Sequence, residues 1–503
     1  MANAHGFRFD PMRWVAQTAG LVEARAQWAE PSEMLESAIV RALVLGQPVD
    51  GDQERIDAEI AETLAGQRED GGFGESARET AEAIARLIDL GHPPGSPEVQ
   101  RAARLLTELA AGGGLRGHLI DDEGLPVVAM DMRIATALCV AGRTEAPELH
   151  EALRWFADHA DAWIERGCPW TPALIMRMLW EGRAIVDTSA ALTAALSWVR
   201  DGINAAGCLS YFDPWSFVGL AGQIDHPLCR EILERQLPLI LCAQEPDASW
   251  TTPRWWPTGE SNETVLRALH RHGLLEELRA RPPLPDGWRV VREIPAPRER
   301  VWGMAWDGES WWVCDDARGC AVAISPEDGA VLRRVKLPKG EPRGIGWWDG
   351  ALTVALGRPG GDEPKRMVRI DPDSGDVLAQ WPLDFLNHVG GVARIGDLTW
   401  VADAFFGWLF ALDDAGEIAR SHVSLAGPLP TLLAADGDAL WHSDLWAPFL
   451  IKSGPGRDGQ FVDCVEKPFS AEIHGFGFDG EHLWVVRGMP QRLCMIEEVA
   501  WDD

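Results

Sequence analysis

The sequence predicts a multidomain α and β chain, an all-helical part followed by a five-bladed β-propeller. Three observations carry that reading. From about Ser32 to Leu278, apolar residues recur near i, i+3, i+4 and i+7, the period of helices buried on one side. At Pro282-Pro283 and Pro285 this period stops. From Trp288 onward, short β-rich runs are broken by Asp-Gly and Gly-Asp turns, and one strand-turn-strand unit recurs five times. The boundaries that follow are an N-terminal extension over 1–31, a helical region over 32–281, a linker over 282–287 and the propeller over 288–503.

In the helical region the clearest segments are Met34–Leu43, Thr80–Leu90, Val127–Val140, Leu149–Ile164, Leu174–Trp180, Ala190–Val199 and Ile232–Cys242. Gly46, Gly91 with Pro93-Pro94, Gly113-Gly114, Gly142 and Gly167 separate them, which predicts about twelve helices in about six hairpins. In the propeller, the unit Trp302-Gly-Met-Ala-Trp306 through Trp312-Val-Cys-Asp315 returns at Arg343–Val354, Gly390–Asp403, Thr431–Asp444 and His474–Arg487. Equivalent residues 306, 347, 394, 435 and 478 are spaced by 41, 47, 41 and 43, the length of a four-stranded blade. The fifth copy ends after its third strand, at Leu493–Glu498. Its fourth is available upstream as Trp288–Pro295, so the first strand is expected to close the ring.

Composition narrows the function classes. The 503 residues carry a net charge of −31, which disfavours nucleic acid and anionic membranes as partners. No apolar run approaches the roughly 20 residues of a membrane span. Met1–Gly20 lacks the basic flank and apolar stretch of a signal peptide. The nine Cys are scattered without a C-x-x-C pair, as in a reducing cytoplasm. There are 25 Trp and one Tyr, which points to large buried rings at repeated positions or to an aromatic pocket.

The repeat register places candidate residues at the hub. The innermost strands open with Trp302, Arg343, Gly390, Thr431 and His474, with His388 just ahead of Gly390. Arg343, His388 and His474 are expected to converge in one funnel, where a cation and two imidazoles suit anion binding, proton transfer or a divalent metal. Asp315, Leu356, Asp403, Asp444 and Arg487 close the second strand; the Asp residues read as ties to a neighbouring blade, and Arg487 and His442, which break their rows, read as better candidates. Trp312, Trp400, Trp441 and Trp484 read as blade core.

The texts D-G-x-x-hydrophobic-W-V-x-D and I-D-P-x-x-G-x-V resemble those of the glutamine cyclotransferase-like, virginiamycin B lyase-like and strictosidine synthase-like propellers. In the helical region, Gln67-Arg-Glu-Asp70-Gly71-Gly72-Phe73-Gly74 ahead of a helix resembles the QW-type repeat of squalene cyclases and protein prenyltransferases, with a degraded copy at Gln244–Trp250. That resemblance implies an (α/α)6 toroid with a central cavity. There, Trp163, Trp170, Met176, Met178, Trp180 and Trp215 would give an apolar, aromatic lining, Asp131 and Arg133 would form an ion pair or a site, and Trp255-Trp256 would line the mouth or the domain seam. The proton-donor motif of such cyclases, D-x-D-D-T, is reduced here to Asp187-Thr188, with Val186 at the donor position, so Asp187 reads as a relic or as a helix cap. His226-x-x-Cys229 is a weak zinc candidate.

No phosphate loop, dinucleotide fingerprint, G-x-S-x-G, H-E-x-x-H or EF-hand text occurs. The expectation is a cofactor-independent enzyme of specialised metabolism that cyclises, eliminates or rearranges a hydrophobic small molecule. His474, His388, Arg343, Asp131 and Arg133 would act in catalysis, and Trp302, Arg487, Trp180, Trp255 and Trp256 in binding. A scaffold with the propeller as docking platform for a protein partner, and a metal-dependent lyase centred on the propeller histidines, remain the alternatives.

Overall fold

The protein is described from a computed structural model over residues 31–113, 129–160, 163–164, 171–243, 250, 261–279, 288–297, 301–357, 364–445, 447–454, 461–466, 473–487 and 491–498. The N-terminal extension, the linker, Trp170, Trp255, Trp256 and most of the Gln244–Trp250 motif lie outside the described residues, as does the Asp131 side chain.

Twelve α-helices are described: α1 Pro31–Ile39 (continued as a π-turn over Val40–Val44), α2 Asp52–Ala65, α3 Ala77–Asp89, α4 Pro97–Gly113, α5 Ala129–Val140 and α6 Pro147–Asp158. These are followed by α7 Thr171–Gly182, α8 Ser189–Gly202, α9 Pro214–Gln223, α10 Pro227–Cys242, α11 Ser261–Arg271 and α12 Leu274–Arg279. The odd-numbered helices pack in succession, α3 on α5, α5 on α7, α7 on α9 and α9 on α11. Helix α11 returns to α1 and its π-turn, and the even-numbered helices cover them. One expected helix is interrupted: α6 ends at Asp158, helical residues are present again at 160 and 163–164, and Trp163 Nε1 donates to the Phe156 carbonyl at 2.9 Å.

The Gln67 motif works as a clip. Gln67 Nε2 donates to the carbonyls of Gly71 and Glu98, both at 2.9 Å, tying its turn to α4. Phe73 N donates to Thr80 Oγ1 on α3 at 3.0 Å, and Ser76 with Glu79 forms a capping box at the start of α3. Ile203–Leu209 repeats this geometry, bridging its ends as Gln67 and Phe73 do, with left-handed Gly207 standing where Gly71 stands.

The second half is a five-bladed propeller. Blade 1 holds β2 Trp302–Trp306, β3 Trp311–Asp315, β4 Cys320–Ile324 and β5 Val331–Lys336. Blade 2 holds β6 Pro342–Trp348, β7 Ala351–Leu356, β8 Arg366–Ile370 and β9 Val377–Pro382. Blade 3 holds β10 Val389–Ile395, β11 Leu398–Asp403, β12 Trp408–Leu412 and β13 Ile418–Val423. Blade 4 holds β14 Pro430–Asp436, β15 Ala439–Asp444, β16 Phe449–Ser453 and β17 Phe461–Glu466. Blade 5 holds β18 Ile473–Phe478, β19 Leu483–Arg487 and β20 Arg492–Glu498, and is completed by β1 Trp288–Pro295, which runs antiparallel to β20 from Trp288 opposite Glu498 to Pro295 opposite Arg492. The first strand therefore closes the ring.

The repeated Trp residues are blade core, and their polar edge is answered locally. Asp307 accepts from Trp312 Nε1 at 2.8 Å, Asp436 from Trp441 Nε1 at 3.2 Å and Asp479 from Trp484 Nε1 at 2.8 Å, each Asp lying five residues ahead of its ring. Burial works against the ionised form of Asp307 and Asp479. Hydrogen bonds from turn amides, from the indole and, at Asp307, from Ser310 outweigh it, holding both carboxyls below the usual carboxylate range. A depressed folded-state pKa gives stability that is present at neutral pH and lost as pH falls through the folded value. Asp479→Asn is therefore expected to show a smaller loss of Tm between pH 6 and pH 3 than the wild type, read by circular dichroism.

The domains share a core. Tyr211 N, ahead of α9, donates to Ser424 O at 2.8 Å, and Asn204 Nδ2 donates to Leu425 O at 2.9 Å. Leu425, Ala426, Leu429, Phe449 and Ile451 from blades 3 and 4 pack into the apolar cluster of the helices.

Candidate functional site

Where the odd-numbered helices face one another they enclose a cavity of about 870 Å³. Its wall is charged, not aromatic. Six arginines (Arg78, Arg86, Arg133, Arg177, Arg267 and Arg271) and four carboxylates (Glu82, Asp89, Glu181 and Glu263) line it. This corrects the expected apolar lining. Trp163, Met176, Met178 and Trp215 are buried between helices, and Trp180 packs under the Arg183 guanidinium, 3.6 Å from the ring centroid; none of them is among the lining residues. The physical reason is the helical period. Arg78, Glu82 and Arg86 on α3, and Glu263, Arg267 and Arg271 on α11, lie four apart and share a face, while the opposite faces carry the apolar residues. In sequence such stripes read as solvated faces; the packing of the odd-numbered helices turns them toward the cavity.

The carboxylates are shared. Glu82 accepts from Arg78 at 2.9 Å and also from Arg133, while Glu263 meets Arg267 at 2.6 Å and Arg86 at 3.2 Å. Arg133, expected to pair with Asp131, is thus held by Glu82 across the α3–α5 contact. Arg177 stands 3.9 Å from Asp89, and its buried Nε has no hydrogen-bond partner among the described residues. Arg271 Nε donates to the Gly222 carbonyl at 2.9 Å. Burial pushes the Glu181 carboxyl up, and Asp89 adds to this against Arg177, Arg183 and Arg271. The Cys139 thiol is pushed up to about 12 by burial and stays protonated.

The remaining candidates lie elsewhere. At the propeller hub, each innermost strand carries the same irregularity in pairing: Arg343, Thr431 and His474 occupy it directly, with Trp302 and Gly390 in equivalent places. The Trp302 ring lies against both His474 (ring centroids 5.0 Å apart) and Arg343 (guanidinium 5.3 Å from the centroid), and Arg343 is paired with Glu341. His388 packs on Phe405, at 4.9 Å; burial lowers its pKa, helped by Lys365 and Arg343 and opposed by Asp403. One step along the strand, innermost strands of adjacent blades meet backbone to backbone: a Cβ on Gly344 would lie 2.7 Å from Gly391 Cα, and one on Gly475 would lie 2.8 Å from the Gly303 carbonyl carbon.

Asp403 and Asp444 tie the connections that lead from the preceding blade into their own. Asp403 accepts from the amides of Asn387, His388 and Phe405, and Asp444 accepts from Leu429 N at 2.6 Å. Arg487 Nε lies 3.2 Å from Cys494 Sγ on the adjacent strand. His442 is fully buried, its pKa lowered to about 3 by desolvation. Asp187 is exposed and accepts from Ser189 N at 3.2 Å, away from the cavity lining; the N-cap of α8 is Thr188, so Asp187 stands one residue ahead of the cap. His226 caps α10, its Nδ1 accepting from Leu228 N at 3.2 Å. Among the described residues no group of three or more His, Cys, Asp or Glu is placed to hold a metal ion, and no helix is long and apolar enough to cross a membrane.

No family model matches the sequence, and no curated protein matches it in sequence. Among solved structures, similarity extends to glutaminyl cyclase of Myxococcus xanthus (12% identity, 43% of this chain and 97% of that one, TM-score 0.37). It extends also to the PQQ-bound aldose sugar dehydrogenase of Streptomyces coelicolor (12%, 43% and 99%, TM-score 0.29). A third is virginiamycin B lyase of Staphylococcus aureus (19%, 41% and 69%, TM-score 0.29). These likenesses say nothing about activity, and the propeller assignment rests on this chain's own strand order: five four-stranded sheets, the last completed by the first strand.

Proposed function

We propose that the protein is an enzyme of cyclase, lyase or isomerase type that moves protons, without a redox cofactor, on a small molecule bearing an anionic group held in the helical cavity. In this reading residues 32–281 form a closed (α/α)6 toroid, and residues 288–503 form a propeller that braces one side of it. The observation that carries the proposal is the cavity wall, with six guanidiniums against four carboxylates. A concave wall focuses such a field, and fixed arginine forks suit carboxylate or phosphate oxygens. Glu181 is the general acid or base, and Arg133, Arg177 and Arg267 hold the anion. The ionic wall favours such a ligand over the hydrophobic substrate of the sequence expectation, because an apolar molecule would displace water from these charges without adding a counter-charge.

Titration calorimetry with sulfate, whose charge is constant between pH 5 and pH 8, tests this. The expected result is one site per chain in the wild type, with affinity falling roughly tenfold or more in Arg177→Met, as for loss of one charge-assisted hydrogen bond. Equal affinity in Arg177→Met and in Arg343→Met would place binding outside both sites. Loss in Arg343→Met alone would move it to the propeller hub.

A further inference from the structure

The wall of the cavity is joined to the propeller through one buried carboxyl. Asp213 caps α9 and is 1% exposed. One oxygen accepts from Trp215 N at 3.1 Å, and the other meets Ser216 Oγ at 2.6 Å. Ser216 lines the cavity. The segment that delivers Asp213 is fixed by the propeller: Tyr211 and Asn204 bond to Ser424 and Leu425, and Tyr211 is held at φ +71°, a left-handed backbone that a side chain rarely adopts. From the propeller side, Asp444 acts on Asp213.

We propose that Ser216 is an anion-binding hydroxyl of the cavity whose hydrogen-bond direction is set by the protonation state of Asp213, so that the cavity grips its anion with Asp213 protonated and loosens it with Asp213 ionised. This rests on the cavity being the ligand site. With Asp213 ionised, the Ser216 O–H donates to the carboxylate and turns a lone pair to the cavity. With Asp213 protonated, the carboxyl O–H donates to Ser216 Oγ, and the hydroxyl proton is released to point at the ligand. The proton passes between Asp213 and the cavity by way of that hydroxyl. Asp213 is a positioning residue: it acts on the ligand through Ser216.

The surroundings favour a switch at physiological pH. Burial first, with the Asp444 charge adding to it, pushes the Asp213 carboxyl up to about 7, against the bonds from Ser216 and Trp215. Other titratable groups on the elements packed there include His442 of β15 and His422 of β13, both lowered by burial, Lys452 of β16, bonded to Asp436, Tyr211, and His272, which bonds the Ala221 carbonyl of α9 at 2.8 Å and is likewise lowered by burial. Helix α10 turns Gln236 toward Pro214, while its Glu231, Glu234 and Arg235 are exposed. Arg177 and Glu181 on α7, and Glu263, Arg267 and Arg271 on α11, face the same cavity. Of these, Glu181 also titrates upward of its usual range, so the test must separate it from Asp213.

Sulfate affinity is measured by calorimetry at pH 6 and pH 8 in the wild type, Asp213→Asn and Ser216→Ala. Asparagine keeps an oxygen for the α9 cap, and circular dichroism confirms folding. The expected result is a loss of affinity from pH 6 to pH 8 that is roughly tenfold larger in the wild type than in either variant, the weight of one hydrogen bond to a charge. A residual slope common to all three belongs to groups other than the Asp213–Ser216 pair. A wild-type slope equal to that of Asp213→Asn overturns the switch and leaves the cavity reading standing. A full slope retained in Ser216→Ala also overturns it, because the charge of Asp213 would then act without the hydroxyl. Absence of sulfate binding at both pH values overturns the cavity reading, and this inference with it.

Discussion

Gly391→Ala is expected to destabilise the propeller by about 3 kcal/mol or more, the upper range for forcing atoms into a packed interior. A Cβ at this position would stand 2.3 Å from Leu433 N and 2.8 Å from the carbonyl carbon of Leu432. Both are backbone atoms of β14, in the next blade, so no rotamer change relieves the clash; the two blades must move apart at the hub. The comparison is Gly396→Ala. Gly396 has a left-handed φ of +55° but nothing within 4 Å of the added methyl. That change is expected to cost about 1 kcal/mol from backbone strain alone. Urea unfolding of the two variants separates crowding from strain. Equal losses would mean that the hub is looser than the strand spacing implies.

Glu263→Gln is expected to lower stability by about 3 kcal/mol, the usual cost of removing one partner from a buried ion network. Its carboxylate answers Arg267 at 2.6 Å and Arg86 at 3.2 Å, and only 10% of the side chain is exposed. Removing the charge leaves two guanidiniums facing each other across the cavity wall. The same change makes the cavity more electropositive. Sulfate should therefore raise the Tm of the variant more than that of the wild type, since a ligand stabilises a folded state in proportion to how tightly it binds. Thermal melts with and without 50 mM sulfate, about the ionic strength of a working buffer, check both halves. A variant that melts lower and gains nothing extra from sulfate would show the network to be structural and the cavity no anion site.

Much of the architecture was open to reading before any coordinates. The five-fold recurrence from Trp302 to Arg487 is a covalent fact, and its meaning is local: strands of this length, turned at Asp-Gly, with an Asp five residues ahead of a Trp, form blades wherever they occur. The missing fourth strand after Glu498 and the spare strand at Trp288 settle ring closure by counting. The Gln67 text was legible as a motif for the same reason, since its bonds stay within the segment from Gln67 to Arg101. Its second occurrence at Ile203–Leu209 was not, because none of its side chains matches and only the backbone geometry repeats.

The cavity belongs to the tertiary structure. Sequence periodicity separates a charged face from an apolar one but does not say which face a helix turns to solvent. Arg78, Arg133, Arg177 and Arg267 come from four helices, and Glu263 reaches Arg86 across 177 residues of chain. Likewise Asp213 is an ordinary helix cap in the text, made unusual by its burial, to which the charge of Asp444 from a different domain adds. Local bonding and repetition were written in the order of residues, because they act over a few positions. Burial, field and pairing depend on which distant segments meet, and only the folded chain decides that.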